Sequence, residues 1–168
     1  MGPGPPVSPA GGYAHLMVED VSGSNEWRRD GYVVSDDPKR MDLDLIHGFL
    51  ARESYWAEGR ARDMVERSLA NSLCLGLYEG ERQFGLARVI TDRATFAWVC
   101  DVFVVAEARG EGLGTWLMEC VVDHPELMGL RRMLLATRDA HEVYRAVGFE
   151  ALPEPSRFMI RQGTPPSG

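Results

Sequence analysis

The chain has 168 residues, 45% of them hydrophobic and 26% charged, with a formal net charge of −7. That length and balance suit one soluble globular domain with a sizeable core. No apolar run approaches the roughly 20 residues that span a bilayer, so a membrane protein is not expected. The acidic balance argues against general nucleic-acid binding, which needs a basic footprint, and suits a cationic small molecule.

The first residues, MGPGPPVSPAGG, have neither the basic nor the apolar stretch of a secretory signal. They are too poor in apolar side chains to offset the entropy of ordering them, so residues 1–25 read as a disordered tail. Cys74, Cys100 and Cys120 form no CxxC pair, and the four histidines show no metal-ligand spacing. Reduced, buried thiols, a cytoplasmic location and no metal are the expectation.

A strand is expected near Trp27–Ser35, with Tyr32, Val33 and Val34 as its apolar residues. Asp36-Asp37-Pro38 then opens a helix on which Met41, Leu45, Ile46, Phe49 and Leu50 recur at three and four positions. After a break at Ser54–Gly59 a second helix carries Met64, Val65, Ser68 and Leu69. Leu73–Tyr78, Gln83–Ile90 and Thr95–Val105 read as three strands joined by hairpin turns. A Gly-rich turn and a helix from Gly112 to Asp123 follow, on which Leu113, Trp116, Leu117, Cys120 and Val121 keep the helical spacing. Met133–Ala136 is a short strand and Asp139–Val147 a short helix ended by Gly148. Phe149–Leu152 and Arg157–Ile160 are expected to close the sheet, before a second tail at 163–168. The order gives an α/β fold with a mixed sheet in a single domain, residues 26–162, and helices on both faces.

The strongest chemical signal is Arg109-Gly110-Glu111-Gly112-Leu113-Gly114-Thr115, which links a buried strand to a helix N-terminus. Amides at a helix start are unpaired and sit at the positive end of the dipole, and glycines permit close approach, so the turn suits a pyrophosphate. A Rossmann fingerprint fits less well, because Thr115 stands where its third glycine should fall. A P-loop would need a lysine after Gly114, and the chain's one lysine is Lys39.

These residues resemble the GCN5-related N-acetyltransferases. Arg109-Gly110-Glu111-Gly112-Leu113-Gly114 is similar to the family's [Q/R]xxGxG/A motif, and Ala140–Phe149 to its AxxxYxxxGF element. The resemblance implies a mostly antiparallel central sheet splayed between the family's fourth and fifth strands, with acetyl-CoA as co-substrate. It implies that backbone groups of Val102, Phe103 and Val104 bond the pantetheine arm, and that amides from Gly110 to Thr115 hold the pyrophosphate. Thr137 stands where the family often has a cofactor-contacting Asn. Tyr144 would lie beside the sulfur as general acid.

The chemistry agrees with that implication. An alkylamine is only about 0.04% neutral at pH 7, so a site must desolvate it or supply a base. A departing thiolate gains from a proton donor, which a phenol can supply. Asp101, a lone carboxylate in a strand that otherwise reads as buried, is the candidate base; the alternative is an ion pair with an arginine such as Arg88. Ser54-Tyr55-Trp56-Ala57-Glu58 is either a cation-binding patch or a loop whose aromatics cap the core. The reading is an N-acetyltransferase acting on a primary amine, of a small molecule or a protein, through a ternary complex. A non-catalytic acyl-CoA sensor is the alternative, and the oligomeric state, a homodimer among the options, stays open.

Overall fold

The computed structural model describes residues 23–163 and the backbone of Met17–Glu19. Most of the expected N-terminal tail, and residues 164–168, lie outside the described residues. Seven strands run in chain order across one sheet: β1 (Met17–Glu19), β2 (Asn25–Arg29), β3 (Tyr32–Ser35), β4 (Leu73–Glu79), β5 (Arg82–Thr91), β6 (Phe96–Val104) and β7 (Arg132–Leu135). Neighbours are antiparallel except β6 and β7, which are parallel. Four helices cover the sheet: α1 (Leu43–Arg52), α2 (Arg62–Ala70), α3 (Leu113–Val122) and α4 (His141–Ala146). Among the described residues no helix is long and apolar enough to cross a membrane.

Two cores lie on opposite faces of the sheet. Trp27, Val34, Leu75, Leu77, Ala87, Val89 and Val99 pack with Leu113, Trp116 and Leu117 of α3. On the other face Ile46, Phe49 and Leu50 of α1 and Val65 of α2 pack with Cys74, Leu86 and Phe103. Alternation along the strands divides the side chains between these layers, which gives the expected mixed sheet with helices on both faces.

Three expectations are corrected. The single strand near Trp27–Ser35 is a hairpin, because Asp30 and Gly31 both take positive φ (51° and 87°) in a two-residue turn. Asp-Gly is the pair that such a turn prefers. The first helix begins at Leu43, after Asp42, whose side chain accepts from the Leu45 amide at 3.0 Å. Asp36-Asp37-Pro38 opens only a 3₁₀ turn, Pro38–Arg40, capped by Asp37 and carrying exposed Lys39. Finally, Phe149–Leu152 and Arg157–Ile160 form no strands: all but half-buried Phe149 are exposed, and Pro155–Arg157 is a 3₁₀ turn. Pro153 and Pro155 remove two amide donors from this stretch.

The end of α3 is pinned to the sheet by a buried polar cluster. His124, fully buried, places Nε2 2.8 Å from Asp36 Oδ2 at the end of β3. Asn25 donates to the same carboxylate from its backbone amide (2.7 Å) and its side chain (2.8 Å). His124 Nδ1 accepts from the Glu126 amide, so the ring proton sits on Nε2 and donates to Asp36. Burial alone would push the Asp36 carboxyl up, but the bonds from His124 and Asn25 outweigh it and hold the pKa below its ordinary value. A depressed carboxylate adds stability above its unfolded pKa, near 3.9, and loses it as pH falls through the lower folded value. Asp36→Asn is therefore expected to flatten the acid limb below about pH 4 in denaturant unfolding followed across pH.

Candidate functional site

The site is an opening in the sheet, and its geometry starts with a β-bulge. Arg88 pairs with Cys100 and Leu86 with Phe103, so Asp101 and Val102 together face the single residue Ala87. Asp101 takes φ +49°, a left-handed conformation that Asp tolerates better than most residues. An extra residue bends and twists a strand. Pairing of β6 with β7 runs from Phe96 to Val99 and stops there. Beyond it no strand among the described residues pairs with the edge of β6 facing β7, so Val102, Phe103 and Val104 can offer backbone groups to an extended ligand as if to an added strand. Their side chains are held elsewhere. Phe103 stacks on Phe49 with ring centroids 3.9 Å apart, and Val102 and Val104 pack into the α3 layer.

The cradle lies at the end of β6. A 3₁₀ turn (Ala106–Ala108) leads to Gly110 and Gly112, both left-handed at φ 90° and 74°, and Gly112 caps α3 with no side-chain bond. The first intrahelical bond there is from the Trp116 amide to the Gly112 carbonyl, so the amides of Leu113, Gly114 and Thr115 have no partner within the helix. α3 carries no acidic residue in its first turn. A Cβ on Gly110 would meet no atom within 4 Å, and on Gly112 only Arg29 Nη2 at 3.9 Å. What Gly112 needs is its backbone conformation rather than room against the protein. Arg109 donates through Nε to the Val104 carbonyl at 2.9 Å, and the Tyr32 hydroxyl donates to Glu111 at 3.3 Å. These features fit a diphosphate: open glycine surface, unpaired amides at a helix start, and a guanidinium alongside.

Across the opening, β7 leads to Thr137, whose hydroxyl oxygen accepts from the Ala140 amide at 3.1 Å just before α4. Tyr144 on α4 is half-buried, its ring edge-on to Phe149 with centroids 6.0 Å apart. Its hydroxyl makes no hydrogen bond among the described residues, and burial, with Tyr55 and Asp139 nearby, raises its pKa above the usual tyrosine value. The phenol therefore keeps its proton at neutral pH.

A loop between α1 and α2 bridges the two sides. Arg60 Nη1 and Arg88 Nε both donate to Asp101 Oδ2 at 2.8 Å, and Trp56 Nε1 donates to Oδ1 at 3.0 Å. The Arg88 pairing weighed from the sequence is thus present. The same loop sends Tyr55 to the β7 side, where the Arg138 guanidinium lies 3.7 Å from its ring centroid and the Arg138 amide donates to its hydroxyl at 3.2 Å. Tyr55 and Trp56 are half-exposed and roof the opening, and the Trp56 ring also borders the core, 6.5 Å from that of buried Phe49.

The structure brings the cradle to one end of the opening, with Asp101 and Tyr144 on its two walls. Arg29, Arg60 and Arg138 were not found from the sequence. The Asp30-Gly31 pair signalled the hairpin that delivers Arg29, whereas no local pattern marks Arg60 or Arg138.

A mixed sheet splayed after a bulge, with a glycine cradle at the opening, defines a CoA-type acyl-transfer fold. The sequence profile of the Acetyltransferase (GNAT) family matches residues 26–149. A Gibberella zeae protein named as a candidate acetyltransferase is 30% identical, over 74% of this chain and 82% of that one. A GNAT-family structure from Xanthomonas campestris pv. campestris shares 43% identity and a TM-score of 0.76, covering 79% of this chain and 93% of that one. N-acetylglutamate synthase from Neisseria gonorrhoeae, solved with coenzyme A and N-acetylglutamate, shares the fold at 18% identity and a TM-score of 0.59, covering 78% of this chain and 32% of its own. The chain belongs to the GNAT acetyltransferase family and is an acetyl-CoA-dependent acyltransferase.

Because Gly112 holds a left-handed backbone at the start of α3, a β-branched residue there strains the turn that aims the amides. Gly112→Val is expected to lower coenzyme A affinity at least tenfold, about 1.4 kcal/mol, in calorimetry on a variant with an unchanged circular dichroism spectrum.

Proposed function

We propose that the protein transfers an acetyl group directly to the primary amine of a small molecule, in a ternary complex, with Tyr144 as general acid. The observation that carries this is the Tyr144 phenol: proton-bearing at neutral pH, without a hydrogen-bond partner among the described residues, and on the wall opposite the free β6 edge. Acetyl-CoA supplies an activated thioester. Amides from Gly110 to Thr115, with Arg109 and Arg29, would hold its diphosphate, the Val102–Val104 backbone its pantetheine arm, and Thr137 would contact it. Tyr144 holds a proton at its hydroxyl for the departing thiolate.

Direct attack is favoured over a covalent acyl-enzyme. Cys100 is the cysteine at the bulge, and burial pushes its thiol up to about 11 although Arg88 pulls the other way. A thiol that stays protonated is a weak nucleophile. The acidic net charge and the half-exposed face of Trp56 favour a cationic acceptor. Asp101, named from the sequence as candidate base, has both carboxylate oxygens engaged by Arg60, Arg88 and Trp56. We assign it to positioning the 54–60 loop instead.

Acetyl-CoA thiol release over an acceptor panel tests the reading: turnover with primary amines supports it, and turnover confined to alcohols or thiols refutes it. Tyr144→Phe is expected to preserve coenzyme A binding while kcat falls on the order of 10²-fold, the low end for acid–base catalysis; an unchanged chemical step would refute the acid role. Asp101→Asn is expected to raise the acceptor KM severalfold with little change in the acetyl-CoA KM. It should also cost about 3 kcal/mol in denaturant unfolding, because the buried Arg88 and half-buried Arg60 guanidinium groups lose their charge partner. A selective fall in kcat at low pH would instead support a base.

A further inference from the structure

The roof of the opening holds more positive charge than its own residues balance. Arg60 Nη1 and Arg88 Nε both donate to Asp101 Oδ2, so two guanidinium groups share one carboxylate. Glu58 of the same loop is exposed and forms no ion pair among the described residues. One positive charge is therefore left over in a partly buried cluster, where an unbalanced charge is costly. Arg88 is the more enclosed of the two and spends Nη1 on the Ser72 hydroxyl at 3.0 Å. The Arg60 side chain is 21% exposed, and its guanidinium makes no other hydrogen bond among the described residues. Its Nε and Nη2 remain, the side-on edge of a guanidinium, whose two parallel donors match the two oxygens of a carboxylate.

The surplus charge sits at the mouth of the opening. Arg88 pairs with Cys100 on one side and with Cys74 on the other, and Cys74 packs under α1 and α2. Directly opposed residues share a face, so Cys100 is on that face too. It is half-buried and lies one residue past Val99, where pairing with β7 stops. Burial raises the pKa of its thiol; of the charges bearing on it, Arg88 and Arg60 pull the other way and only Asp101 adds to the rise. A small molecule lodged beside Cys100 meets the same excess of positive charge.

We propose that the acceptor is a primary amine that also carries a carboxylate, and that the Nε–Nη2 edge of Arg60 binds that carboxylate. This rests on the reading of the protein as an amine acetyltransferase and names the kind of amine. A carboxylate brings the single negative charge that the cluster lacks, whereas a phosphate monoester brings about −1.5 to −2. Trp56 and Arg60 are held on the two oxygens of Asp101, at 3.0 and 2.8 Å, so indole and guanidinium stand side by side. An indole face favours an ammonium group, and one small amphoteric molecule can reach both. Such a molecule has no net charge, so the acidic surface does not repel it as it would a plain anion.

Acetyl-CoA thiol release tests this with α-amino acids, each beside its amide and its decarboxylated amine, and with an aminoalkyl phosphate. The best amino acid is expected to exceed its amide and its amine by about tenfold or more in kcat/KM, the worth of a bond to a charged group. Arg60→Gln is expected to bring acid and amine to about equal kcat/KM, chiefly through the KM of the acid. Arg60→Lys keeps a charge beside Asp101 but lacks the fork, so its selectivity should fall between the two; it also serves where the glutamine variant does not fold. An amide or amine used as well as the acid overturns the proposal and leaves amine acetylation standing, as does a preference for the phosphate. Equal losses for acid and amine in both variants overturn it too, because Arg60 would then only hold the loop. Failure of every primary amine refutes the acetylation reading itself, and this inference with it.

Discussion

One left-handed residue in the middle of a strand organises this molecule. At Asp101 the backbone of β6 takes a conformation costing on the order of 1 kcal/mol for an L-residue, and the extra residue reverses which face the following side chains meet. Before the bulge Ala97 and Val99 face α3; after it Phe103 faces α1, stacked on Phe49. Pairing with β7 ends before the bulge and leaves the last half of β6 without a strand partner on that side. The carboxylate at the kink then fastens a loop from the opposite face through two guanidinium groups and an indole. Opening, free edge and roof meet at this one irregularity.

The sequence revealed what local chemistry encodes. Glycines alternating at a helix start mark the cradle because only backbone is needed there, and Tyr144 is found by its spacing before Gly148-Phe149. Strands four to six were readable because each is continuous, apolar and bounded by turn residues. The hairpin at Asp30-Gly31 was equally encoded but lay hidden in a short run of valines. Sheet closure at the C-terminus could not be judged from propensity, since Phe158–Ile160 has strand-forming residues whether or not an edge is reached. The role of Asp101 was legible only as a choice between a base and an ion pair with an arginine such as Arg88. Its pairing with Arg60 joins positions 41 residues apart, and nothing local announces it.

The division of labour in the site follows from what each part is made of. The cradle is backbone, so its specificity lies in shape and dipole. The roof is side chain, and Tyr55, Trp56 and Arg138 can vary without disturbing the amides of α3. Between them the buried cysteines are chemically quiet: desolvation lifts Cys74 to about 12, even with Arg88 close by. Placing an arginine-rich cluster beside thiols would ordinarily activate them; here the carboxylate of Asp101 engages those charges first.

The two walls of the opening are unequally built. β6 is sandwiched between both cores, whereas β7 has no fully buried residue and α4 none. Local opening of a protein begins where little apolar surface is buried. Tyr144, which we propose as the proton donor, therefore rides on one of the softer helices, and the glycine turn leads into one of the firmest. Warming is therefore expected to loosen α4, and Tyr144 with it, before the sheet and α3 give way, so that activity would be lost below the temperature at which the chain unfolds.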